Sequence, residues 1–332
     1  MPVSREVHLV SRPEGLPRPE DFDIVEVQVP DPGAGEVLVE NLWMSVDPAM
    51  RPRLTAGYEL GEPMTANTIG RVAASKASPL AVGDLVMHGF GFRDWVVAAA
   101  DSVRPLEPIE GHSPTVHMHV LGGTGFTAYG GLLHVGALSE GDRVFVSTAA
   151  GAVGSVAAQI AKLKGHWVVG STGSEEKVVW LRDDLGLDAV INYRDTPINA
   201  ALRSAAPDGI DLYFDNVGGD HLDAALARMR TLGRVAVCGM ISGYNEPGAR
   251  TTVRNLANII YGRIGIRGFT AADFPHLRED FRRDMTSWLT DGVIKYRETI
   301  MHGIEKAPAA LIGLFKGENT GKMLVQLAEY DS

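Results

Sequence analysis

Residues 143–165 read RVFVSTAAGAVGSVAAQIAKLKG, an apolar run followed by a glycine-containing turn and a helix-like segment. The run Arg143–Ser147 predicts a β-strand. The apolar residues after the turn recur at helical spacing and are Val153, Val156, Ala157, Ile160 and Ala161. Gly165 is placed to end that helix, as glycine commonly does just beyond a C-cap. The stretch therefore predicts a strand, a tight turn and an amphipathic helix.

Further apolar runs follow this stretch at intervals long enough for a helix. They are Trp167–Ser171, Asp188–Asn192, Ile210–Asn216, Arg234–Gly239 and Ile264–Phe269. Strands that alternate with helices predict a parallel sheet with crossover connections. The expected fold class is α/β, a doubly wound parallel sheet of the Rossmann type. We assign this domain to residues 121–295.

The N-terminal third has a different texture, with short apolar runs separated by Pro and Gly. The runs Val25–Val29, Glu36–Trp43 and Trp95–Ala98 predict strands of a small barrel or rolled sheet. Near the other end, Gly321–Leu327 resembles one strand that returns to this domain. Residues 1–120 and 296–332 would then form a discontinuous β domain.

The composition restricts the classes of function. Of 332 residues, 45% are hydrophobic and 22% charged, which is typical of a globular protein. A net charge of −10 disfavours nucleic acid or an anionic membrane as partner. The single cysteine, Cys238, excludes an internal disulfide and a cysteine-rich zinc site. Without a signal-peptide pattern or an apolar run of membrane length, a cytoplasmic protein is expected.

The turn after the first Rossmann strand has the pattern of a dinucleotide-binding loop. Ala149, Gly151 and Gly154 occupy the three G-x-G-x-x-G positions, with Ala in the first. Gly151 would let the backbone approach a pyrophosphate, and Gly154 would let the helix pack close to the strand. The free N–H groups of the helix N-terminus would then face the phosphates. A turn that binds nothing is the alternative, and the strand–turn–helix context favours the dinucleotide.

The second strand indicates which dinucleotide is bound. NAD sites usually carry an acidic residue at the end of this strand, whereas Val169–Gly173 contains none. Lys177 follows a few residues later and would pair with a 2′-phosphate. The alternative is that Lys177 is a solvated helix residue. The missing acid favours NADPH.

Several motifs in order resemble one known group of enzymes. The motifs are Met44–Arg51 (MSVDPAMR), Thr124–Tyr129 (TGFTAY), Ala149–Ser155, Phe214–Gly219 (FDNVGG), Gly239–Asn245 (GMISGYN) and Glu318–Lys322 (ENTGK). Over nearly the whole chain, the sequence resembles the zinc-independent medium-chain reductases of the leukotriene B4 12-hydroxydehydrogenase/prostaglandin reductase group, which includes plant double-bond reductases and bacterial curcumin reductase. The resemblance implies a chaperonin-10-like β-barrel joined to a Rossmann domain that binds NADPH.

The same resemblance implies roles for individual residues. Gly151, Ala152, Val153, Gly154 and Ser155 would hold the pyrophosphate, and Lys177 and Tyr193 the 2′-phosphate. Asn216, Cys238, Gly239, Met240, Ile241, Ser242 and Tyr244 would line the ribose and nicotinamide, and Phe269, Thr270, Ala271 and Asn319 would close over the nicotinamide end. Zinc dehydrogenases of the wider superfamily carry Gly-His-Glu near Asn67–Gly70, and its absence here implies that no metal is bound.

The resemblance assigns three residues to the binding of the substrate. Met44 and Ala49 belong to the motif that would line the substrate pocket, and the group usually has Tyr where this chain has Ala49. The smaller side chain would reshape one wall of the pocket. Tyr261 matches a tyrosine implicated near the substrate carbonyl, although its apolar surroundings in Leu256–Tyr261 leave a purely structural core role open. The nicotinamide ribose hydroxyl is the alternative hydrogen-bond donor to that carbonyl.

These observations together predict an enzyme rather than a binding protein. The expected reaction is hydride transfer from NADPH to the β-carbon of an α,β-unsaturated aldehyde or ketone. A quinone reductase with the same cofactor site and a non-catalytic NADPH sensor are the alternatives. Relatives are commonly dimers, so a homodimer is expected. The histidines His112, His117 and His119 match no zinc spacing and are predicted to lie in a solvated loop.

Overall fold

A computed structural model describes residues 1–246, 248 and 252–330, which form two compact units. One unit comprises Met1–Met118 with Glu298–Ser332, and the other comprises His119–Arg297. The strands are β1 (Val3–Leu9), β2 (Phe22–Gln28), β3 (Glu36–Ser45), β4 (Thr68–Ser75), β5 (Leu85–His88), β6 (Trp95–Ala99), β7 (Arg104–Pro105), β8 (Arg143–Val146), β9 (Trp167–Thr172), β10 (Ala189–Asn192), β11 (Ile210–Asp215), β12 (Met229–Val237), β13 (Gly265–Gly268), β14 (Glu298–His302) and β15 (Lys322–Gln326). The α-helices are α1 (Met50–Ala56), α2 (Gly123–Gly130), α3 (Ala152–Leu163), α4 (Glu175–Val179), α5 (Ile198–Ala205), α6 (Gly219–Arg228), α7 (Asn258–Gly262), α8 (Arg278–Thr290) and α9 (Ala307–Lys316).

The first unit is β-rich, as its Pro- and Gly-punctuated sequence predicts. Its main sheet runs β14-β15-β3-β4-β5-β7, with β6 also paired to β3, and β1 and β2 form a separate antiparallel pair. The C-terminal strand β15 lies antiparallel to β3, with Leu324 opposite Ser45. The return of the tail to the first domain is therefore confirmed. A core that includes Leu9, Leu54 and Phe92 lies within this unit.

The second unit is built on one parallel sheet in the order β10-β9-β8-β11-β12-β13. All six runs that the sequence predicts as strands are strands of this sheet. Counted from β8, the order is 3-2-1-4-5-6, the order of a doubly wound dinucleotide-binding fold. The predicted fold class is confirmed. The chain reverses its direction of winding between β8 and β11, where such folds bind their ligands.

Helix α3 follows β8 and packs its predicted face into the core. Val156, Ala157, Ile160 and Ala161 are fully buried. Burial of a Val or Ile side chain typically contributes about 1.5–3 kcal/mol to folding. The helix ends at Leu163, and Gly165 then takes a left-handed φ of +84°. A residue with a Cβ would be strained at that angle, so glycine ends the helix here as predicted.

No helix within the described part of the chain combines the length and apolar character required to cross a bilayer.

Candidate cofactor site

The carboxyl ends of the parallel strands lead into most of the segments that are expected to bind the cofactor. Ser147 follows β8, Gly173 follows β9, Tyr193 follows β10, Asn216 follows β11, Cys238 follows β12 and Phe269 follows β13. Because the strands are parallel, these positions lie along the same edge of the sheet. Ligands of open α/β sheets bind at this edge. The fold thus brings together residues that are far apart in sequence.

The glycine turn places the start of α3 directly against the end of β8. Gly151 is the N-cap of α3, and its N–H donates to the Thr148 carbonyl over 2.9 Å. A Cβ added at Gly154 would lie 2.3 Å from that carbonyl oxygen and 3.0 Å from Ala149 Cα. Only glycine permits this approach of helix to turn. Gly154 therefore has the packing role that the sequence predicts.

Helix α3 starts without a capping side chain, because its N-cap residue is glycine. The first N–H groups of a helix have no partner within the helix. Ala152, Val153 and Gly154 supply these groups at the carboxyl edge of the sheet. Ser155 differs, since its N–H already donates to the Gly151 carbonyl over 3.0 Å. Its hydroxyl is buried and has no hydrogen-bond partner among the described residues.

A polar network joins the ends of β8 and β11 where the winding reverses. The Asn216 backbone N–H donates to Ser147 Oγ over 2.9 Å, and its side-chain Nδ2 donates to the Ser147 carbonyl over 2.8 Å. Tyr213 Oη lies 3.0 Å from the same Ser147 Oγ. These contacts fix Asn216 at the carboxyl edge. The sequence indicates no such role for Ser147, which ends the first predicted strand.

Asp215 organises the turn that follows β11. Its Oδ1 accepts hydrogen bonds from Tyr213 Oη at 2.6 Å, from Val217 N at 2.9 Å and from Gly218 N at 2.8 Å. Burial raises the pKa of the Asp215 carboxyl, and these hydrogen bonds act in the opposite direction. The turn also requires glycine, since Gly218 has a φ of +71°. Asp215 is thus a buried structural support for Asn216.

The segment from Cys238 to Tyr244 is held against the β11 turn. The N–H groups of Cys238 and Gly239 donate to the Asp215 carbonyl over 2.8 and 3.1 Å. Ser242 Oγ donates to the Val217 carbonyl over 2.6 Å. Further bonds in the same segment are Ile241 N to the Asn216 carbonyl (3.4 Å) and Met240 N to Tyr244 Oη (3.3 Å). The predicted ribose and nicotinamide residues therefore form one hydrogen-bonded group.

Cys238 is a packed residue of this group. Burial raises the pKa of its thiol to about 12, with a smaller contribution from Asp215. A thiol with such a high pKa is protonated near neutral pH and is a poor nucleophile. Cys238 therefore has a packing role rather than that of a nucleophile.

Lys177 and Tyr193 lie in the segments that follow β9 and β10. Tyr193 N donates to the Thr172 carbonyl over 3.1 Å. Lys177 lies in the short helix α4, and its side chain is partly desolvated. Burial is the main reason that its pKa is lowered, and the positive charge of Arg194 lowers it further. A solvated helix lysine would not be desolvated in this way, so that alternative is disfavoured.

The last strand brings Phe269 to the carboxyl edge, where Thr270 and Ala271 follow it. The Phe269 ring lies 6.0 Å from the Phe214 ring, edge to face. Thr270 begins a short 3-10 turn, and its N–H bonds to Asp273 Oδ2 at 2.8 Å. Tyr261 lies in α7, with 83% of its surface exposed. The core interpretation of Tyr261 is therefore wrong.

The prediction that the three histidines lie in a solvated loop is wrong for His119. His119 is fully buried, and His112 and His117 are partly buried. The His119 Nε2–H donates to the Ala152 carbonyl in the first turn of α3, over 3.3 Å. The His119 carbonyl accepts from Gly125 N over 3.0 Å. His119 thus supports the glycine turn, which no spacing in the sequence signals.

The first unit contains three of the candidate residues, namely Met44, Ala49 and Asn319. Met44 is fully buried, and its sulfur accepts from Phe92 N at 3.2 Å, which is a packing position rather than a pocket wall. Ala49 is exposed and is the N-cap of α1. Asn319 Nδ2 donates to the Gly321 carbonyl over 2.8 Å.

The Asp47 loop is anchored by a buried lysine. Lys322 is 1% exposed, and its Nζ donates to Asp47 Oδ1 at 2.8 Å and to the Val46 carbonyl at 2.9 Å. Ser45 Oγ donates to the other oxygen of the Asp47 carboxylate. A buried ammonium is tolerated here because a carboxylate and a backbone carbonyl accept its hydrogen bonds. Lys322 thereby fixes the loop that presents Ala49.

The residues of the second unit fit a dinucleotide. Uncapped N–H groups at α3 suit a pyrophosphate, and Gly151 presents no side chain at this end of the helix. The carboxyl edge continues to Asn216 on one side and to Lys177 and Tyr193 on the other. Within the described residues, no group of three or more His, Cys, Asp or Glu side chains is arranged to hold a metal ion.

Comparison with known proteins agrees with this architecture. Residues 5–106 match the family described as "N-terminal domain of oxidoreductase", and residues 152–291 match the family described as "Zinc-binding dehydrogenase". The chain is 37% identical over 334 residues to the NADPH-dependent curcumin reductase of Escherichia coli, covering 97% of this chain and 96% of the relative. It is 39% identical over 317 residues to prostaglandin reductase 1 of Rattus norvegicus, covering 94% and 96%.

A solved structure shows the same similarity in three dimensions. The crystal structure of CurA from Vibrio vulnificus in complex with NADPH superposes with a TM-score of 0.93 at 36% identity, covering 98% of this chain and 100% of that one. The chain therefore belongs to the medium-chain dehydrogenase/reductase family, in the group of alkenal and enone double-bond reductases.

Proposed function

We propose that this chain catalyses the NADPH-dependent reduction of the carbon–carbon double bond of α,β-unsaturated aldehydes and ketones. The observation that carries the proposal is its similarity, over nearly its whole length, to curcumin and prostaglandin reductases. The carboxyl edge of the Rossmann sheet supports it, because the residues that would bind NADPH are assembled there. The partner of the reaction is a small unsaturated carbonyl compound.

The protein's contribution is to bind and orient the cofactor and the substrate, and to exclude water from them. The bound cofactor would supply the hydride for the β-carbon of the substrate. The N–H groups of Ala152 to Gly154 would hold the pyrophosphate, and Asn216 with the Cys238–Tyr244 segment would hold the ribose and nicotinamide. Phe269 to Ala271 would cover the nicotinamide end.

Addition of hydride to an enone leaves negative charge on the carbonyl oxygen of the substrate. A hydrogen-bond donor at that oxygen stabilises the transition state. We assign Tyr261 this role, because its side chain is exposed and available to a ligand. Water would then deliver the proton to the α-carbon. No metal takes part in this scheme, and the chain has neither His nor Glu at Asn67–Gly70, where zinc dehydrogenases carry them.

The exposed Ala49 bears on substrate range. Its methyl group occupies little volume, so a substrate pocket lined by Ala49 would accept substrates with more bulk near this wall. Replacing Ala49 with Tyr would restore the side chain usual in the group. We expect this variant to lose turnover of bulky enones relative to small enones, as measured by kcat/KM on a series of increasing size.

A comparison of acceptors separates the proposal from its rivals. NADPH oxidation would be followed with a small enone and with a quinone at equal concentration. Preferential turnover of the enone, with a saturated carbonyl product, is expected. Turnover of the quinone alone would favour a quinone reductase, and NADPH binding without turnover of any enone would favour a binding-only protein.

A homodimer and a cytoplasmic location are part of the same proposal. Strand β13 lies at the end of the strand order, and all four of its residues are exposed. An open strand with unpaired backbone groups is a template for pairing with a second chain. Leu256 and Ile260 add exposed apolar surface nearby in sequence. Light scattering of the wild type and of Ile266→Pro tests the dimer, which the variant should weaken.

The cytoplasmic location is supported by the cysteine content, because a single cysteine is typical of a reducing compartment.

A further inference from the structure

The carboxyl ends of β9 and β10 converge on a group of residues that extends beyond Lys177 and Tyr193. The two strands are parallel, with Asn192 opposite Thr172. The residues that follow them, Gly173 on one strand and Tyr193 and Arg194 on the other, therefore emerge side by side. Arg194 is exposed.

Gly173 is the point on which the two strand ends converge. A Cβ added there would lie 2.7 Å from Tyr193 Oη, 3.0 Å from Tyr193 Cζ and 3.4 Å from Arg194 Nε. The space that a side chain would need at Gly173 is therefore occupied by a phenol and a guanidinium. An acidic side chain at this strand end, as NAD sites use, has no room to fit. The absence of a side chain at Gly173 therefore lets the phenol and the guanidinium lie together at this strand end.

Positive charge accumulates at the same place. Arg194 is close enough to Lys177 to lower the pKa of that ammonium, in addition to the effect of burial, whereas Glu176 raises it. Two neighbouring cations repel each other, which is a cost to the folded protein. A bound dianion removes that cost, because a phosphate monoester carries about −1.5 to −2 charges at neutral pH. An arginine adds planar, paired N–H donors that match phosphate oxygens.

We propose that Arg194 is a further specificity-determining residue, which binds the adenosine 2′-phosphate together with Lys177 and Tyr193, while the absence of a side chain at Gly173 leaves room for the Tyr193 phenol and the Arg194 guanidinium at this strand end. This inference rests on the proposed use of NADPH and names a residue of the same site. It assigns two cations rather than one to the phosphate, and it assigns Gly173 a steric role.

The test uses two small probes that differ by one phosphate group. Adenosine 2′,5′-bisphosphate and adenosine 5′-monophosphate would be titrated calorimetrically into the wild type, Arg194→Ala, Arg194→Lys and Arg182→Ala. Arg182 is the matched control, because it is also exposed and pairs with its neighbour Asp183. Arg194→Ala should weaken binding of the bisphosphate roughly ten-fold or more and change the affinity for the monophosphate by less than about two-fold. Arg194→Lys should fall between wild type and Arg194→Ala, and Arg182→Ala should match the wild type.

A second measurement excludes a merely structural role. The affinity for the bisphosphate falls as pH rises through the pKa of Lys177. Without the neighbouring guanidinium, that pKa moves up, so the alkaline loss of affinity should begin at higher pH in Arg194→Ala. Equal weakening of both probes, or no weakening of the bisphosphate, would overturn the role of Arg194. In those cases a wild type that still prefers the bisphosphate leaves the proposed NADPH reductase intact, whereas a wild type without that preference overturns both.

Discussion

Replacement of Gly154 by Ala tests whether the glycine turn holds α3 where a pyrophosphate would bind. The added Cβ would lie 2.3 Å from the Thr148 carbonyl oxygen, whereas ordinary contact begins at 3.4 Å. The helix start must therefore move by about 1 Å, because the obstacle is backbone and cannot rotate away. Overpacking of this kind costs up to about 3 kcal/mol. The better helix propensity of Ala returns about 1 kcal/mol, so a net loss of about 2 kcal/mol is expected.

Gly151→Ala is the matched control for that experiment. Its Cβ would lie 3.2 Å from the same oxygen, and the Gly151 φ of −87° suits any residue. Urea unfolding without cofactor should therefore show a loss of less than about 1 kcal/mol for this variant. NADPH titration should show at least roughly ten-fold weaker binding for both variants, because one displaces the N–H groups and the other places a methyl group beside them. Wild-type stability and wild-type NADPH affinity in Gly154→Ala would refute the role of the turn.

Four further predictions concern other parts of the chain. Lys177→Ala should weaken NADPH by roughly ten-fold and leave NADH within about two-fold, as measured by fluorescence titration; equal effects would remove Lys177 from the phosphate site. Tyr261→Phe should lower kcat by roughly ten-fold or more with little change in NADPH affinity, and an unchanged kcat would transfer the donor role elsewhere. Lys322→Met should lower the free energy of unfolding by about 2–4 kcal/mol in urea, since Asp47 loses its buried partner; a stability equal to that of the wild type would contradict this. Burial lowers the pKa of His221 from 6.5 to about 4. The unfolded chain therefore takes up a proton before the folded protein does, and the unfolding free energy should fall by up to about 3 kcal/mol between pH 6.5 and 4. His221→Phe should reduce that loss, and an identical pH profile would rule out His221 as its source.

The parallel sheet was predictable because its strands are short, apolar and separated by helix-length intervals. The same holds for α3, since Val156 and Ile160 occupy one face at helical spacing and Gly165 ends the helix. The glycine turn was predictable because its pattern depends only on local backbone needs. Local sequence patterns of this kind can be interpreted without knowing the tertiary contacts.

The remaining features depend on contacts between distant segments. Gly173 and Arg194 meet only because β9 and β10 pair in parallel, and neither residue has an unusual local context. His119 is buried and bonds to the Ala152 carbonyl at the start of α3, a contact between segments 33 positions apart in sequence, so it was wrongly predicted to be solvated. Met44 belongs to a motif of the family, yet its position in β3 directs it into the core. Lys322 shows the reverse case, a charged residue that is buried because Asp47 and a carbonyl satisfy it.

The most direct test of the proposed reaction follows the transferred hydrogen itself. The protein would be incubated with a small enone and NADPH that carries deuterium at the transferable position, and the product would be examined by NMR. A saturated ketone with deuterium on its β-carbon is the predicted result. Deuterium on the carbonyl carbon of an allylic alcohol, or an enone recovered unchanged while the protein binds the coenzyme, would contradict the account.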